Sequence, residues 1–300
     1  MKHIILLFIF ATSLNAFSTE IQVQVEKAKP TGLFSVGIGS QVFINSKDQN
    51  ISGEALFLGR ALNPDGVSSY QMFLKDKKVF YIDSKKINQS KNLQTVVNPY
   101  EQAGGTCTAY AIFGFLQQLQ HSGLKGNGKL SHKLADEKGR TNLLVDNVSE
   151  YYLTPQHRYS INGILNKYGK EYGFSCLAYH SESVDKIKAR VLKQVQTGTP
   201  AIIEFNVGTE MAISPFELQM QDPLREQMDQ RLWVPRKSGQ RNGGGHTIVI
   251  AGAFELEHRQ YFVTIDSDWS EPRVWDADNF LSEKTVAQEI GVVTCTDLTY

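Results

Sequence analysis

The hydrophobic period of this chain changes once, near Val96, and that change limits the folds open to it. Before Val96, apolar residues fall on alternate positions in short runs. Ile21, Val23 and Val25 alternate with Gln22, Gln24 and Glu26, the pattern of a strand buried on one face. Further runs at residues 34–38, 41–44, 54–58, 70–74 and 79–82 read as strands. Turn chemistry separates them at Lys47-Asp48-Gln49-Asn50, Asn63-Pro64-Asp65-Gly66 and Lys75-Asp76-Lys77-Lys78. Residues 17–95 are therefore expected to form a small β domain, barrel-like. After Val96, helical spacings appear. Ala109, Ile112, Phe113, Leu116 and Leu119 lie on one face of a helix over residues 108–120, with Gly123 as its stop. Ile161, Ile164, Leu165 and Tyr168 define a second helix, capped by Ser160 and stopped by Gly169. Val184, Ile187, Val191 and Val195 define a third, capped by Ser183 and ended by Gly198. Strands follow at residues 201–205, 247–253, 261–265 and 291–296. Helices first and strands afterwards is an α+β order rather than a βαβ alternation.

The first sixteen residues stand apart. Lys2 precedes the apolar run Ile-Ile-Leu-Leu-Phe-Ile-Phe-Ala at residues 4–11, and small Ala16 follows at a cleavage distance. This is the layout of a secretory signal peptide, too short to span a bilayer. The chain is expected to be exported, to a periplasm or beyond the cell. No later apolar run is long enough for stable membrane insertion once residues 1–16 are removed. Charge is balanced, 31 Lys plus Arg against 31 Asp plus Glu, so no basic face draws the chain to nucleic acid. Three cysteines are present, Cys107, Cys176 and Cys295. An odd number leaves at least one free or paired between chains. Export permits disulfides, and Cys176 with Cys295 is one pairing open to the chain. With no C-x-x-C, H-E-x-x-H or C-x-x-C-H, neither a metal nor a cofactor is expected.

Three residues carry the candidate chemistry. Cys107 ends Gln102-Ala103-Gly104-Gly105-Thr106-Cys107, where the first amphipathic helix begins. The unpaired amides and dipole of a first turn favour an anion there, and so a thiolate. Gln102 can supply a side-chain amide which, with the Cys107 backbone N–H, forms an oxyanion hole. Taken alone, Cys107 also fits a small buried residue at a helix start. His246 stands between Gly243-Gly244-Gly245 and the apolar strand Thr247-Ile248-Val249-Ile250, at a rim; the other six histidines read as surface or leader residues. Asp266 closes the strand Phe262-Val263-Thr264-Ile265 and can fix the tautomer of His246. Asp268 competes for that role. Asp266, Asp268, Asp276 and Asp278 also crowd together, but without the spacing of an EF-hand loop. Cys107 precedes His246 by 139 residues and Asp266 follows His246 by 20, an order and spacing that three unrelated residues would not be expected to share.

From about residue 96 to 300 the chain resembles papain-like cysteine peptidases. Gln102 to Cys107 resembles the Q-x-G-x-C-G-S-C-W-A start of that family, and Ser149-Glu150-Tyr151-Tyr152-Leu153 its L-S-E-Q-x-L region. Gly198-Thr199-Pro200-Ala201-Ile202 resembles its G-P-V strand. Gly245-His246-Thr247-Ile248-Val249 resembles its N-H-A-V-x-V-V-G strand, and Ile265-Asp266-Ser267-Asp268-Trp269 its K-N-S-W-G. The resemblance implies a helical part with the nucleophile helix, an antiparallel β part, and Cys107, His246, Asp266 and Gln102 as nucleophile, base, orienting group and oxyanion donor. It implies hydrolysis of peptide bonds through a thioester. The chain departs from the pattern in several places. The Gln102-to-Cys107 gap is one residue shorter than in papain, Tyr110 stands later than the family's tryptophan, the orienting Asn is Asp266, and strands replace the helical pro-region.

Bacteriocin-processing cysteine peptidases are a second similar group. Pro99-Tyr100 through Cys107-Thr108-Ala109-Tyr110 also resembles the CHAP family of cell-wall amidohydrolases, whose Cys-to-His gap is shorter. Residues 70–87 loosely resemble the end of a bacterial Src-homology-3-like domain, which would suit a peptidoglycan substrate. The readings open at this point are an exported peptidase, a cell-wall amidase or endopeptidase, and a papain-fold binding protein without catalysis. Substrate preference would be set by residues 208–242, as a cleft wall or a lid.

Overall fold

A computed structural model describes residues 21–31, 34–46, 51–63, 68–88, 92–98, 107–122, 161–220 and 228–297. The expected leader at 1–16, Gln102, Gly104-Gly105, Gly123, Ser160 and the 149–153 motif lie outside the described residues. The fold is mixed α+β, mostly strands with few helices.

The alternation at the N-terminal end forms β1 (Ile21–Lys27), β2 (Ser40–Asn45), β3 (Gly53–Leu62), β4 (Ser68–Lys75) and β5 (Lys78–Asp83). They pair in sequence order as an antiparallel meander. Asp76 and Lys77, with φ of 49° and 60°, make the two-residue turn that suits the twist of a hairpin. Residues 34–38 are not a regular strand. Phe34 and Val36 make only isolated bridges, to Thr31 and Leu93. Their amides serve irregular neighbours: Gly37 N–H donates to the Lys29 carbonyl, and Ile38 N–H to Gln94 Oε1. The alternation there reflects burial of Phe34, Val36 and Ile38, not sheet pairing.

The sheet is wider than the N-terminal region. β6 (Ile87–Asn88) pairs with β1, β7 (Thr95–Val97) pairs in parallel with β3, and β11 (Glu217–Met220) pairs in parallel with β5. Its order, β11-β5-β4-β3-β2-β1-β6, is open, a half-barrel rather than a closed barrel. One face buries Val42, Ile44, Phe57, Phe73 and Phe80. From the other, Leu58, Met72, Leu74 and Tyr81 enter one core with Ile112, Phe115 and Leu116 of α1 (Cys107–Gln120). Each such side chain contributes about 1.5–3 kcal/mol by leaving water. The Tyr81 hydroxyl donates to the Pro272 carbonyl at 2.5 Å, far along the chain.

Downstream, α2 (Ile161–Tyr172) and α3 (Val184–Gln196) flank a second sheet. It contains β8 (Phe174–His180), β9 (Ala201–Val207), β13 (Gly244–Leu256), β14 (Arg259–Ile265), β15 (Arg273–Asp276) and β16 (Ile290–Asp297). Their order is β15-β14-β13-β9-β16-β8, antiparallel throughout. Gly169 does not stop α2. A Cβ there would lie 2.1 Å from the Phe174 carbonyl oxygen, so Gly169 admits the returning strand, and Gly173 at φ 83° ends the helix. Ser183 stands at the N-cap of α3 without a side-chain cap bond. Two short strands, β10 (Ala212–Ile213) and β12 (Arg231–Leu232), pair with each other, and α4 (Ala277–Phe280) follows β15. One face of the second sheet takes α1. The other takes Ile187, Val191 and Val195 of α3. No helix among the described residues is long and apolar enough to cross a membrane.

Cys176 and Cys295 sit directly opposite on β8 and β16 and form a disulfide. It closes a loop of 119 residues of sequence separation. A loop that long gives a cross-link about 3–5 kcal/mol of stabilising effect. We expect the Cys176→Ala, Cys295→Ala double variant to denature at lower urea concentration than the parent. Reactivity of Cys107 should be unchanged, because the bridge lies at the strand ends away from His246.

Candidate active site

Cys107 is the first residue of α1 and is half-exposed. At that position the first-turn N–H groups have no intrahelical acceptor, and the positive end of the helix dipole faces the sulfur. Its Sγ lies 3.9 Å from the carbonyl oxygen of Gly245, the residue before His246. A second link holds the same end of the helix to the sheet: Thr108 Oγ1 and Thr247 Oγ1 are 2.9 Å apart and share a hydrogen bond. The helix start and the β13 start are thus held against each other at the thiol and at the residue after it.

His246 pairs with Phe205 across β13 and β9 and is 5% exposed. The Phe205 ring meets it edge-on at 5.7 Å between centroids, and the Trp233 ring lies at 6.2 Å. Its Nε2 is 3.0 Å from Asp266 Oδ1 and 3.1 Å from Oδ2. Asp266, fully buried just beyond β14, also accepts the Asp268 backbone N–H at 3.0 Å. With Nε2 engaged by the carboxylate, Nδ1 is the ring nitrogen left for the thiol. Burial pulls the His246 pKa down. The hydrogen bond and charge of Asp266, then those of Cys107, outweigh burial and push it up to about 10.

That shift has a consequence for stability. A histidine raised from 6.5 to about 10 stabilises the fold fully below 6.5 and loses that contribution as pH climbs toward 10. We expect the midpoint of thermal unfolding to fall between pH 6.5 and 10 in the parent. In the His246→Asn, Asp266→Asn double variant this slope should be shallower.

The structure brings Cys107, His246 and Asp266 together and gives Asp268 a different partner. The Asp268 carboxylate takes the Trp233 indole N–H, and its pKa is raised by burial and then by the Asp266 charge. Asp276 and Asp278 lie apart from both. Asp276 accepts the backbone N–H groups of Asp278 and Asn279 at the start of α4, and Asp278 pairs with Lys188. His246, Asp266 and Asp268 have potential ligand atoms within 4.8 Å of one another, a donor set that three ligands of a divalent cation would need. Asp266 is hydrogen-bonded to His246 and to the Asp268 backbone N–H, and Asp268 to the Trp233 indole, the pattern of a hydrogen-bonded triad. His121 is half-buried beside Arg60 rather than on the surface, and burial, then the Arg60 charge, lowers its pKa. His180 and His258 are exposed.

Trp233, Thr108, Thr247 and Phe205 were not singled out as site residues by sequence reasoning. The one signal for Trp233 is a large aromatic residue among charges in residues 208–242. Among the described residues of that region, β11 joins the first sheet and β10 pairs with β12. No family model matches the sequence, and no curated protein matches it.

Proposed function

We propose that the chain is an exported cysteine peptidase of papain-like fold, acting in a periplasm or outside the cell. The observation that carries the reading is the meeting of a helix-start thiol, a buried histidine and a buried carboxylate from three separate elements. Acyl transfer through a thioester needs a nucleophile, a base and a group that orients the base, with donors for the oxyanion beside them. The disulfide between Cys176 and Cys295 is consistent with export.

In the proposed reaction, His246 holds the proton of Cys107 and the thiolate attacks the carbonyl carbon of a peptide bond. The C–S bond forms as the carbonyl π electrons move onto oxygen. The Cys107 backbone N–H and the Gln102 amide receive that oxyanion. His246 then gives its proton to the leaving amine as the C–N bond breaks. Water, deprotonated by His246, hydrolyses the thioester and returns the thiol. Asp266 keeps the imidazole in one tautomer and balances its charge throughout.

The cell-wall reading shares this chemistry and differs in substrate. It gains from a separate wall-binding barrel. Leu58, Met72, Leu74 and Tyr81 of the N-terminal strands share a core with α1, which favours a built-in part of the enzyme body over a tethered module. A thiol-directed epoxide should label Cys107 in the folded chain and not after unfolding. Casein, rather than purified peptidoglycan, should then be degraded. Absence of labelling would leave the binding-protein reading; clearing of peptidoglycan alone would leave the amidase.

A further inference from the structure

The elements that surround His246 are tied together behind it by one carboxylate. Phe205 stands between Ile290 and His246 in a single row across β16, β9 and β13. Its ring meets the His246 ring edge-on. Trp233 reaches the same imidazole from residues 233–245, a strap that runs directly into His246. The strap therefore meets the histidine at both ends, once through the indole and once through the backbone.

Glu289, in the turn Ala287–Glu289 before β16, holds the middle of that strap. Its carboxylate accepts from Arg236 Nε at 2.8 Å and from Arg236 Nη2. It also accepts from the side chain of Asn206, the residue after Phe205 and the partner of Gly245 across the sheet. The Arg236 backbone completes the joint. Its N–H donates to the Asn206 carbonyl at 2.7 Å, and its carbonyl accepts from the Val286 N–H at 3.0 Å. Pro235 bridges to Val207, whose carbonyl accepts the Gly243 N–H. The Arg236 and Glu289 side chains are 21% and 23% exposed, so water screens the pair only in part. One anion thus joins the elements that bear Trp233, Phe205 and Ile290. A small misplacement of a catalytic group by a remote change can cost about 10²-fold in rate.

We infer that Glu289 is a positioning residue for His246: through Arg236 and Asn206 it keeps the Trp233 and Phe205 rings packed against the imidazole. Its effect on turnover rests on the peptidase reading; its effect on the ring does not.

The test uses the full chain with Glu289→Ala and the milder Glu289→Gln, whose amide oxygen still accepts from Arg236. Glu289→Ala should lower kcat for a fluorogenic peptide about 10–100-fold and leave KM within about threefold. Glu289→Gln should lose less in the same direction, and it decides the matter if the alanine variant does not fold. The imidazole titration followed by NMR should also move. Loosening the strap admits water to His246, Asp266 and Asp268, and water weakens the bond and charge of Asp266 that hold the His246 pKa at about 10. The titration should therefore fall toward 6.5. The control is Glu182→Ala, which breaks the two-contact pair of Glu182 with Arg190, whose guanidinium lies over Tyr179. It should leave kcat within about twofold and the titration unchanged. A Glu289 variant that is less stable yet keeps the parent's kcat and imidazole titration marks a structural role and overturns the inference, leaving the peptidase standing. Equal effects from Glu182→Ala overturn it too. If the parent neither labels at Cys107 nor cleaves, the peptidase reading falls, and the imidazole titration alone upholds or overturns Glu289.

Discussion

Cys107→Ala should lower peptide hydrolysis by about a million-fold while leaving the protein folded. The size follows from the role. A group that forms the covalent intermediate cannot be replaced by its neighbours, and in comparable hydrolases loss of the nucleophile alone removes nearly the whole triad effect. The folding side follows from the position. Cys107 is half-exposed at the first turn of α1 and forms no disulfide, and its Sγ lies 3.9 Å from the Gly245 carbonyl oxygen. Alanine is the best helix former, so the change in stability should stay within about 1 kcal/mol. The substitution also removes the hydrogen bond and charge that Cys107 lends to His246. The imidazole titration followed by NMR should therefore move down in the variant, yet remain above 6.5 because Asp266 stays in place. Turnover within tenfold of the parent would end the assignment of Cys107. An unchanged imidazole titration would break the link between thiol and ring.

Much of this site was legible in residue order alone. Cys107 could be found because a helix start, a glycine pair and an amphipathic face coincide there, three local signals. His246 stood out because a glycine run meets an apolar strand. The choice between Asp266 and Asp268 was not legible. Two acids two residues apart differ only in which one the backbone beyond β14 turns toward the ring, and that is a matter of tertiary packing. Strands with clear alternation, such as β1, or with a continuous apolar run, such as β13, were legible, and short or mixed ones were not. β8 exposes Leu177 and carries Ser175 and His180, so its pattern is blurred. β11 has four residues, and its partner β5 lies more than a hundred positions earlier, so no local pattern could place it in the first sheet. Residues 34–38 misled in the opposite sense, because burial without pairing leaves the same alternation as a strand. Gly169 misled because glycine serves close approach as well as helix termination.

Asp266→Ala should cost about 10³–10⁴-fold in kcat, and Asp268→Ala far less. The difference lies in what each carboxylate holds. Asp266 Oδ1 and Oδ2 are 3.0 and 3.1 Å from His246 Nε2, so removing them frees the ring to rotate and to take the tautomer that puts its proton toward the thiol. It also removes the strongest influence holding the His246 pKa up, leaving the Cys107 hydrogen bond and charge alone against burial. The variant should have an imidazole that titrates lower than in the parent and a thiol less often paired with a cation. Asp268 holds the Trp233 indole instead, so its loss loosens one ring beside His246 and leaves the ring's hydrogen bond intact. Asp266→Asn separates orientation from charge. A correctly placed amide oxygen still accepts the Nε2 proton, so kcat should recover most of the loss seen with alanine. The high imidazole titration should not return, because the amide carries no charge. Steady-state rates with NMR titration of the three variants check the argument, and a larger loss from Asp268→Ala than from Asp266→Ala would transfer the orienting role to Asp268.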